Sequence, residues 1–239
     1  MIDRRTDQYG TATLVIDETH RGPWRSGNGG WTAGRLAAYL PGTAAVTVTL
    51  RSPPPLATPL EVRVEPGNAS LHHGDELVAE AAPDEVPAAV PAVTAAAARA
   101  AEADYPGLVD HPFPSCFVCG TRPPVGEGLR LRPGPIASGR TACTWTPAPG
   151  HVELAHQWAA LDCPGGWTDD IAGRPMVLGR MTAASVRAPV AGEELVVVGL
   201  RLERVGRKVM TATSLYDASG QVVGTAAHTW IRVDPRSFG

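Results

Sequence analysis

Apolar and polar residues alternate along many short stretches of the chain, which is the pattern of half-buried β-strands. Residues 60–65, Leu-Glu-Val-Arg-Val-Glu, show it most clearly. Other runs rich in β-branched residues predict strands at 11–18, 45–51, 76–81, 128–132, 140–145, 174–188, 194–205, 208–216 and 221–233. The fold is therefore expected to be rich in β-structure.

Two stretches have the apolar spacing of three to four residues that is typical of helices. In the first, Asn28 is a candidate N-cap for a helix that carries an apolar stripe to Leu40 and ends at Pro41-Gly42. The second covers residues 151–163, and the sequence Pro164-Gly165-Gly166 is expected to end it.

Asp162 lies in the last turn of the second predicted helix, among Ala159, Ala160, Leu161 and Cys163. A carboxylate adds nothing to apolar packing there and needs a partner if it is buried. Two interpretations remain open: Asp162 points to solvent or bonds a neighbouring backbone N–H, or it has a chemical function.

Residues 83–114 differ from the rest because they are rich in Ala, Pro and acidic residues, with a helix expected over 92–103. This segment predicts a linker between a first unit at 1–82 and a second at 115–239. The two units also share sequence patterns in register, with 50–53, 59–64 and 70–82 matching 186–189, 194–199 and 214–227. Three matches in register indicate an internal duplication.

One sheet and one helix per unit leave strand edges exposed, and pairing the units edge to edge would cover them. This pattern resembles the hotdog fold, an antiparallel sheet wrapped around a central helix, and the thioesterase-superfamily proteins that carry two hotdogs in one chain. The motifs that carry the resemblance are 28–34 (Asn-Gly-Gly-Trp-Thr-Ala-Gly), 50–56, 116–120 and 160–167. The expected class is α+β with tandem hotdogs.

The resemblance implies an active site between paired hotdogs. Backbone N–H groups at the start of one central helix hold the thioester carbonyl, and an acid on the other helix acts as base or nucleophile. Many members have His-Gly-Gly at that start and an aspartate nine positions later. Here Asn28-Gly29-Gly30 matches the start but Ala37 follows nine positions on, whereas Glu153 precedes Asp162 by nine without a Gly-Gly. This implies one composite site, Asn28, Gly29 and Gly30 facing Asp162, and one vacant pseudo-site, Glu153 facing Ala37.

In the composite site, Gly29 and Gly30 are expected to supply N–H donors at a helix start, and Asp162 to attack the carbonyl or activate water. An ordinary turn and N-cap at Asn28 is the alternative. Substrate contacts are expected from the following residues, each of which also has a purely structural interpretation: Trp31, Gln157, Thr182 and Arg187. Asp169 and Asp170 are expected to lie in a solvated loop.

The charge and composition narrow the possible partners. The 239 residues carry a formal net charge of −3, and the arginines are scattered, so nucleic acid is not an expected partner. The start of the chain lacks a signal-peptide pattern, and no run of about 18 apolar residues occurs. A soluble cytoplasmic protein that forms a homodimer is expected.

The four cysteines, at positions 116, 119, 143 and 163, are too few and too irregular for a disulfide framework. Cys116 and Cys119 have the spacing of a zinc half-site, which Cys143, Cys163, His111 or His151 would have to complete. Two reduced thiols on a tight turn are the favoured interpretation, so neither a metal nor a cofactor is expected.

The function expected from the resemblance is hydrolysis of acyl-CoA or acyl-carrier thioesters. A hotdog hydratase or dehydratase is disfavoured because its Gly-Asp-x-Asn-Pro motif with a following His is absent. A non-catalytic acyl-binding protein that kept the fold is the alternative from another class.

Overall fold

One antiparallel sheet of eleven strands runs through residues 10–234, the part of the chain that this computed structural model describes. The first half contributes β1 Gly10–Val15, β2 Ala45–Leu50, β3 Pro59–Glu65, β4 Asn68–His73 and β5 Glu76–Asp84. The second contributes β6 Gly134–Ala137, β7 Arg140–Trp145, β8 Met176–Ser185, β9 Leu195–Val205, β10 Lys208–Tyr216 and β11 Val222–Arg232. Their order is β1-β3-β4-β5-β2-β8-β11-β10-β9-β7-β6.

Three α-helices accompany the sheet: α1 Gly29–Ala37, α2 Ala95–Ala101 and α3 Leu154–Gly166. Asn28 caps α1 as predicted, since its side chain accepts a hydrogen bond from the N–H of Trp31 at 2.8 Å. Helices α1 and α3 pack against each other and against the strands of the sheet. The structure therefore has one central helix per half, and the predicted tandem hotdog class is confirmed.

The two halves are joined where β2 pairs with β8. Four residue pairs form this seam, from Val46 with Ala183 to Thr49 with Arg180, and they make the sheet continuous across the halves. The hydroxyls of Thr47 and Thr182 bond each other in the middle of the seam. The expected edge-to-edge pairing is thus confirmed, and it removes one exposed edge from each half.

Helix α3 does not end before Pro164, so the predicted stop at Pro164-Gly165-Gly166 is wrong. The helix continues to Gly166 because both glycines pack closely against the sheet. A Cβ atom on Gly165 would lie 2.8 Å from the Thr211 hydroxyl, and one on Gly166 would lie 3.0 Å from the Trp230 ring. These glycines therefore allow close packing of the last helical turn instead of ending the helix.

The strand predicted at residues 128–132 is also wrong, because that segment does not join the sheet. The N–H groups of Leu129 and Leu131 bond the carbonyls of Phe117 and Val118, at 2.9 and 2.8 Å. Arg130 between them has a φ of 55°, which interrupts an extended strand. The segment pairs locally with the Cys116–Cys119 turn.

The segment between the halves packs on the outer face of the second half. Its helix α2 lies against β7, and the N–H of Val90 donates to the hydroxyl of Ser214 at 2.8 Å. Strand β5 extends to Asp84, and the unit boundaries at 82/83 and 114/115 stay a prediction. Within residues 10–234, no helix combines the length and apolar character that crossing a membrane requires.

Candidate active site

The start of α1 meets the end of α3. The N–H of Gly30 donates a hydrogen bond of 3.0 Å to Oδ2 of Asp162, and the Asn28 amide lies 3.5 Å from the same oxygen. The structure thus brings together Asn28, Gly30 and Asp162, three of the four residues expected in the composite site. Gly29, the fourth, borders the same cavity as Asp162.

Two glycines of α1 allow this close approach of the helices. A Cβ atom on Gly30 would lie 2.5 Å from Cβ of Asp162, and one on Gly34 would lie 2.7 Å from Cα of Ala155. The helices are therefore antiparallel, with the start of α1 against the end of α3. Any larger residue at these two positions would push the helices apart.

Asp162 is buried, with only 2% of its surface exposed, so it does not point to solvent. Burial raises the pKa of its carboxyl to about 8, against the opposing hydrogen bonds from Gly30 and Asn28. Its second oxygen, Oδ1, has no hydrogen-bond partner within residues 10–234. A buried carboxyl with a free oxygen is an unusual and costly arrangement, which is typical of functional sites.

Two cavities lie at the start of α1, where Gly29 borders both. The outer groove has a volume of about 340 Å³ and the inner cavity about 30 Å³. Among the groove-lining residues are Arg25, Gly29, Leu50, Arg51, Leu178 and Ile231. Among the residues that line the inner cavity are Asn28, Gly29, Cys116, Cys119, Asp162 and Cys163. Gly29 and Leu178 border both, so the wall between groove and cavity is thin.

Gly29 is the first residue of α1, and its N–H finds no acceptor in the described part of the chain. The first N–H groups of a helix lack intrahelical partners, and the helix dipole adds partial positive charge there. Gly29 borders both the groove and the inner cavity. Its N–H is suited to hold a carbonyl oxygen or an anion.

Two arginines, Arg25 and Arg51, border the outer groove, and Arg25 was not among the residues expected at the site. Arg25 is exposed and has no ion pair within residues 10–234, whereas Arg51 pairs with Glu80. The signal for Arg25 was weak because a lone arginine in a Gly/Pro loop resembles any solvated residue. Only the fold places it beside the groove.

Three cysteine sulfurs gather at the inner cavity. The Sγ atoms of Cys116, Cys119 and Cys163 all lie within 4.8 Å of one another, and all three residues are buried. Hydrogen bonds from the thiols of Cys119 and Cys163 hold the pKa of Cys116 well below its usual value, whereas the pKa values of Cys119 and Cys163 are raised. The expected pair of thiols is thus a group of three. Cys143 is buried outside the group.

Gln157 and Thr182, expected to contact substrate, border neither the groove nor the inner cavity. The Gln157 amide donates to the carbonyls of Val223 and Arg187, at 2.9 and 3.1 Å, and accepts from the Ser185 hydroxyl at 2.6 Å. Thr182 bonds its partner across the seam. Both side chains have structural partners.

Arg187 and Trp31 likewise border neither the groove nor the inner cavity. Arg187 forms ion pairs with Glu193 and Asp217 at 2.8 and 3.5 Å. Trp31 is buried and stacks on His20, with ring centroids 4.0 Å apart. The structure thus places the four expected substrate contacts elsewhere than beside the groove and the inner cavity.

Asp169 does not lie in a solvated loop as expected, because its side chain is only 3% exposed. Burial favours the neutral acid, but hydrogen bonds from Arg204, the Asp170 N–H and Arg232 outweigh it and lower the pKa of Asp169 to about 2. The Arg204 Nε and Arg232 Nη2 atoms lie 2.7 and 3.2 Å from Asp169 Oδ2. Asp170, its neighbour, is exposed.

The pseudo-site lies at the other end of the helix pair. Glu153 precedes α3 without capping it, and its carboxylate lies 3.7 Å from Nη1 of Arg35, in an exposed ion pair. Ala37 is buried and offers no acid at the position that corresponds to Asp162. In the described structure, therefore, a buried carboxyl contacts the start of a central helix at the composite site alone.

Neither a family model nor a curated protein sequence matches the chain. Solved structures do match over most of its length. A tesB protein from Mycobacterium avium subspecies paratuberculosis has a TM-score of 0.63 and 12% identity over 96% of this chain and 95% of that chain. The acyl-CoA thioesterase II TesB2 from Mycobacterium marinum has a TM-score of 0.59 and 14% identity, covering 95% of this chain and 94% of that one.

A third match is a conserved protein of unknown function with a hotdog fold from Alicyclobacillus acidocaldarius. Its TM-score is 0.64 and its identity 15%, with 94% of each chain covered. At such identities the likeness concerns the fold. This chain therefore has the double-hotdog fold, which it shares along almost its whole length with solved proteins that include named thioesterases.

Proposed function

We propose that the chain hydrolyses acyl thioesters of coenzyme A or of an acyl carrier, through one composite site shared by its two halves. One observation carries this proposal: the 3.0 Å hydrogen bond from the Gly30 N–H to Asp162. It joins the helix start of one half to the only buried acid on the central helices of the described structure. The double-hotdog fold of the named thioesterases supports the same reaction class.

In the proposed reaction, Gly29 stabilises the carbonyl oxygen of the thioester. Its free N–H at the start of α1 holds the thioester carbonyl oxygen, and the donor gains strength as negative charge develops on that oxygen. The helix dipole acts in the same direction. Gly30 instead holds Asp162, so its N–H orients the acid.

Asp162 supplies the general base in its ionised form, which becomes the main form as the pH rises above its pKa of about 8. The Gly30 hydrogen bond holds Oδ2, whereas Oδ1 has no partner within residues 10–234. Asp162 borders the inner cavity, whose volume of about 30 Å³ suits one water molecule. Asp162 takes a proton from that water as its oxygen attacks the carbonyl carbon. The carbon–sulfur bond then breaks, and the proton passes to the departing thiolate.

The outer groove holds the rest of the substrate. Its volume of about 340 Å³ and its apolar walls, which include Leu50, Leu178 and Ile231, suit an acyl or pantetheine chain. Arg25 at its border has no ion pair in the described part of the chain. Its guanidinium is suited to a phosphate of coenzyme A or of the carrier arm.

The variant Asp162→Asn tests the proposal because it keeps the shape of the side chain and removes the base. We expect kcat/KM for short- and medium-chain acyl-CoAs to fall at least about a hundredfold. The matched control is Glu153→Gln, which changes the exposed acid of the pseudo-site and should leave the rate within about twofold of the original. Unchanged turnover in Asp162→Asn would reject the assignment.

A non-catalytic acyl-binding protein is the second candidate, and one observation favours it. Asp162 occupies the Gly30 N–H, which leaves one donor instead of two for a substrate carbonyl. If the unmodified protein binds acyl-CoAs saturably in calorimetry but hydrolyses none of the panel, this function replaces the first.

A further inference from the structure

The three sulfurs at the inner cavity come from two distant parts of the chain. Cys116 and Cys119 lie in the segment before β6, and Cys163 lies in α3 beside Asp162. The Sγ atoms of Cys116 and Cys163 are 3.8 Å apart. Two sulfurs bound to one tetrahedral zinc ion, each about 2.3 Å from it, lie about 3.8 Å apart. Sulfur atoms in a disulfide are only about 2.05 Å apart.

The backbone turn at Cys116–Gly120 directs two of these sulfurs to the same side. The N–H of Gly120 donates to the carbonyl of Cys116 at 2.9 Å, which closes the turn. A Cβ atom on Gly120 would lie 2.4 Å from that carbonyl oxygen, so only glycine fits this position. A Cys-x-x-Cys turn of this kind is half of a common zinc site, and Cys163 supplies the third thiol that the sequence alone did not place.

Two polar side chains support the thiol group from outside. The Asn28 amide lies 3.8 Å from the Cys116 sulfur and donates toward it. His111 is not a ligand, because its Nδ1 accepts from the Phe113 N–H at 3.0 Å and its Nε2 bonds the Cys119 carbonyl at 3.2 Å. It holds the turn in place, as residues around metal ligands commonly do.

From this geometry we propose that Cys116, Cys119 and Cys163 together bind one zinc ion, whose fourth coordination position opens on the inner cavity. The one water molecule that a cavity of about 30 Å³ accommodates is the fourth ligand, and it is the same water that the proposed hydrolysis uses. The ion fastens the segment before β6 to α3 at the residue after Asp162. This proposal goes beyond thioester hydrolysis and does not depend on it.

The site can be tested directly by measuring the metal content of the reduced protein after zinc has been added and the excess metal removed. We expect one zinc per chain by elemental analysis, and zinc-edge X-ray absorption should show three sulfur ligands at about 2.3 Å and one lighter atom. These measurements use the unmodified chain and no substrate, so a failed thioester assay leaves them unaffected. Absence of retained zinc, retention of copper or iron instead, or fewer than three sulfur ligands would overturn the proposal.

Single variants identify the ligands. Cys119→Ser and Cys163→Ser should each lower the zinc affinity at least about a hundredfold, measured in competition with a coloured chelator. Removing a residue that only supports a ligand typically costs about 10- to 100-fold in metal affinity, and removing a ligand should cost at least as much. The control is Cys143→Ser, because Cys143 is also buried but lies outside the thiol group. Equal zinc affinity in all three variants contradicts the site. If a ligand variant does not fold, the X-ray absorption result decides.

Discussion

At the scale of single residues, the candidate site depends on a missing side chain. Gly30 has no Cβ, and this lets its N–H approach Asp162 to 3.0 Å. The nearest atom to an added Cβ is the Cβ of Asp162 at 2.5 Å, which belongs to a packed helix and cannot swing away. The hydrogen bond and the glycine are thus two aspects of one helix contact.

Gly30→Ala should therefore destabilise the protein by about 1–3 kcal/mol, because the new methyl group overpacks the contact between α1 and α3. Urea unfolding at neutral pH measures the change. Gly150→Ala is the control, because an added Cβ there meets no atom within 4 Å, and its effect should stay within about 0.5 kcal/mol. Equal stability of the two variants would show that α1 can shift away from Asp162 without cost.

Asp169 is a second residue whose role is decided by its partners. Its folded pKa of about 2 lies below the ordinary 3.8. The ionised form is therefore favoured by folding, and the stabilisation is present above about pH 4 and is lost as the pH falls toward 2. Asp169→Asn should lower the free energy of unfolding at pH 7 by about 2 kcal/mol.

The neighbouring Asp170→Asn is the matched control for this change. Asp170 is exposed and its Oδ1 accepts from the Gly173 N–H, a bond that asparagine can also accept. Its effect should be below about 0.5 kcal/mol. Equal losses in both variants would mean that the arginine contacts of Asp169 contribute little.

At the scale of elements, local signals predicted most strands and the start of α1. Alternation in 60–65 and the Asn28 cap are local features, so tertiary packing did not need to be known. The errors lie where distant contacts decide: Gly165 and Gly166 are required by residues of β10 and β11, and Leu129 and Leu131 bond an adjacent turn. Propensity alone cannot report such contacts.

The candidate site shows the same division. Asp162 could be selected from sequence because a carboxylate in an apolar helix needs a partner, and the Gly-Gly helix start could be recognised locally. The approach of Cys163 to Cys116, 47 residues apart in sequence, depends on the packing of α3. Likewise, the residues next to Gln157 in sequence do not reveal that its amide donates hydrogen bonds to carbonyls of β11 and of the segment after β8.

Gln157 anchors α3 to the sheet, so Gln157→Leu should remove three hydrogen bonds: two from its amide to the Val223 and Arg187 carbonyls, and one from the Ser185 hydroxyl to its oxygen. The expected loss in the free energy of unfolding is about 2–4 kcal/mol. Thermal and urea unfolding measure it. Gln221→Leu, at an exposed position beside β11, is the control and should change stability by less than about 0.5 kcal/mol. A neutral Gln157→Leu would refute the anchoring role.

At the scale of the whole molecule, the stability of the fold depends on pH through histidines that folding removes partly or wholly from water. Burial lowers the pKa values of the half-buried His20 and of the buried His156 and His228 to about 4, and the rings of His20 and His156 lie 6.0 Å apart, from centroid to centroid. Folding therefore favours their neutral forms. Their contribution to stability is complete above about pH 6.5 and is lost as the pH falls toward 4.

Stability should accordingly fall between pH 6.5 and 4. Each histidine contributes about 1.4 kcal/mol per pH unit in that window, and the raised pKa of Asp162 has the opposite sign, so the net loss should be up to about 3 kcal/mol per pH unit. Urea unfolding across this range tests it. Replacing His228 by glutamine should reduce the slope, whereas His73→Gln, at an exposed position, should not. A flat profile is the contradicting result.

The seam between β2 and β8 has a mechanical consequence. Because the sheet continues from one half to the other through four residue pairs, a hinge between the halves would have to break main-chain hydrogen bonds at the molecule's centre. We therefore expect the sheet to keep its shape when a ligand enters the groove, and only the side chains along the rim of the groove to rotate. Crystals with and without ligand should superpose along all eleven strands and differ only at that rim.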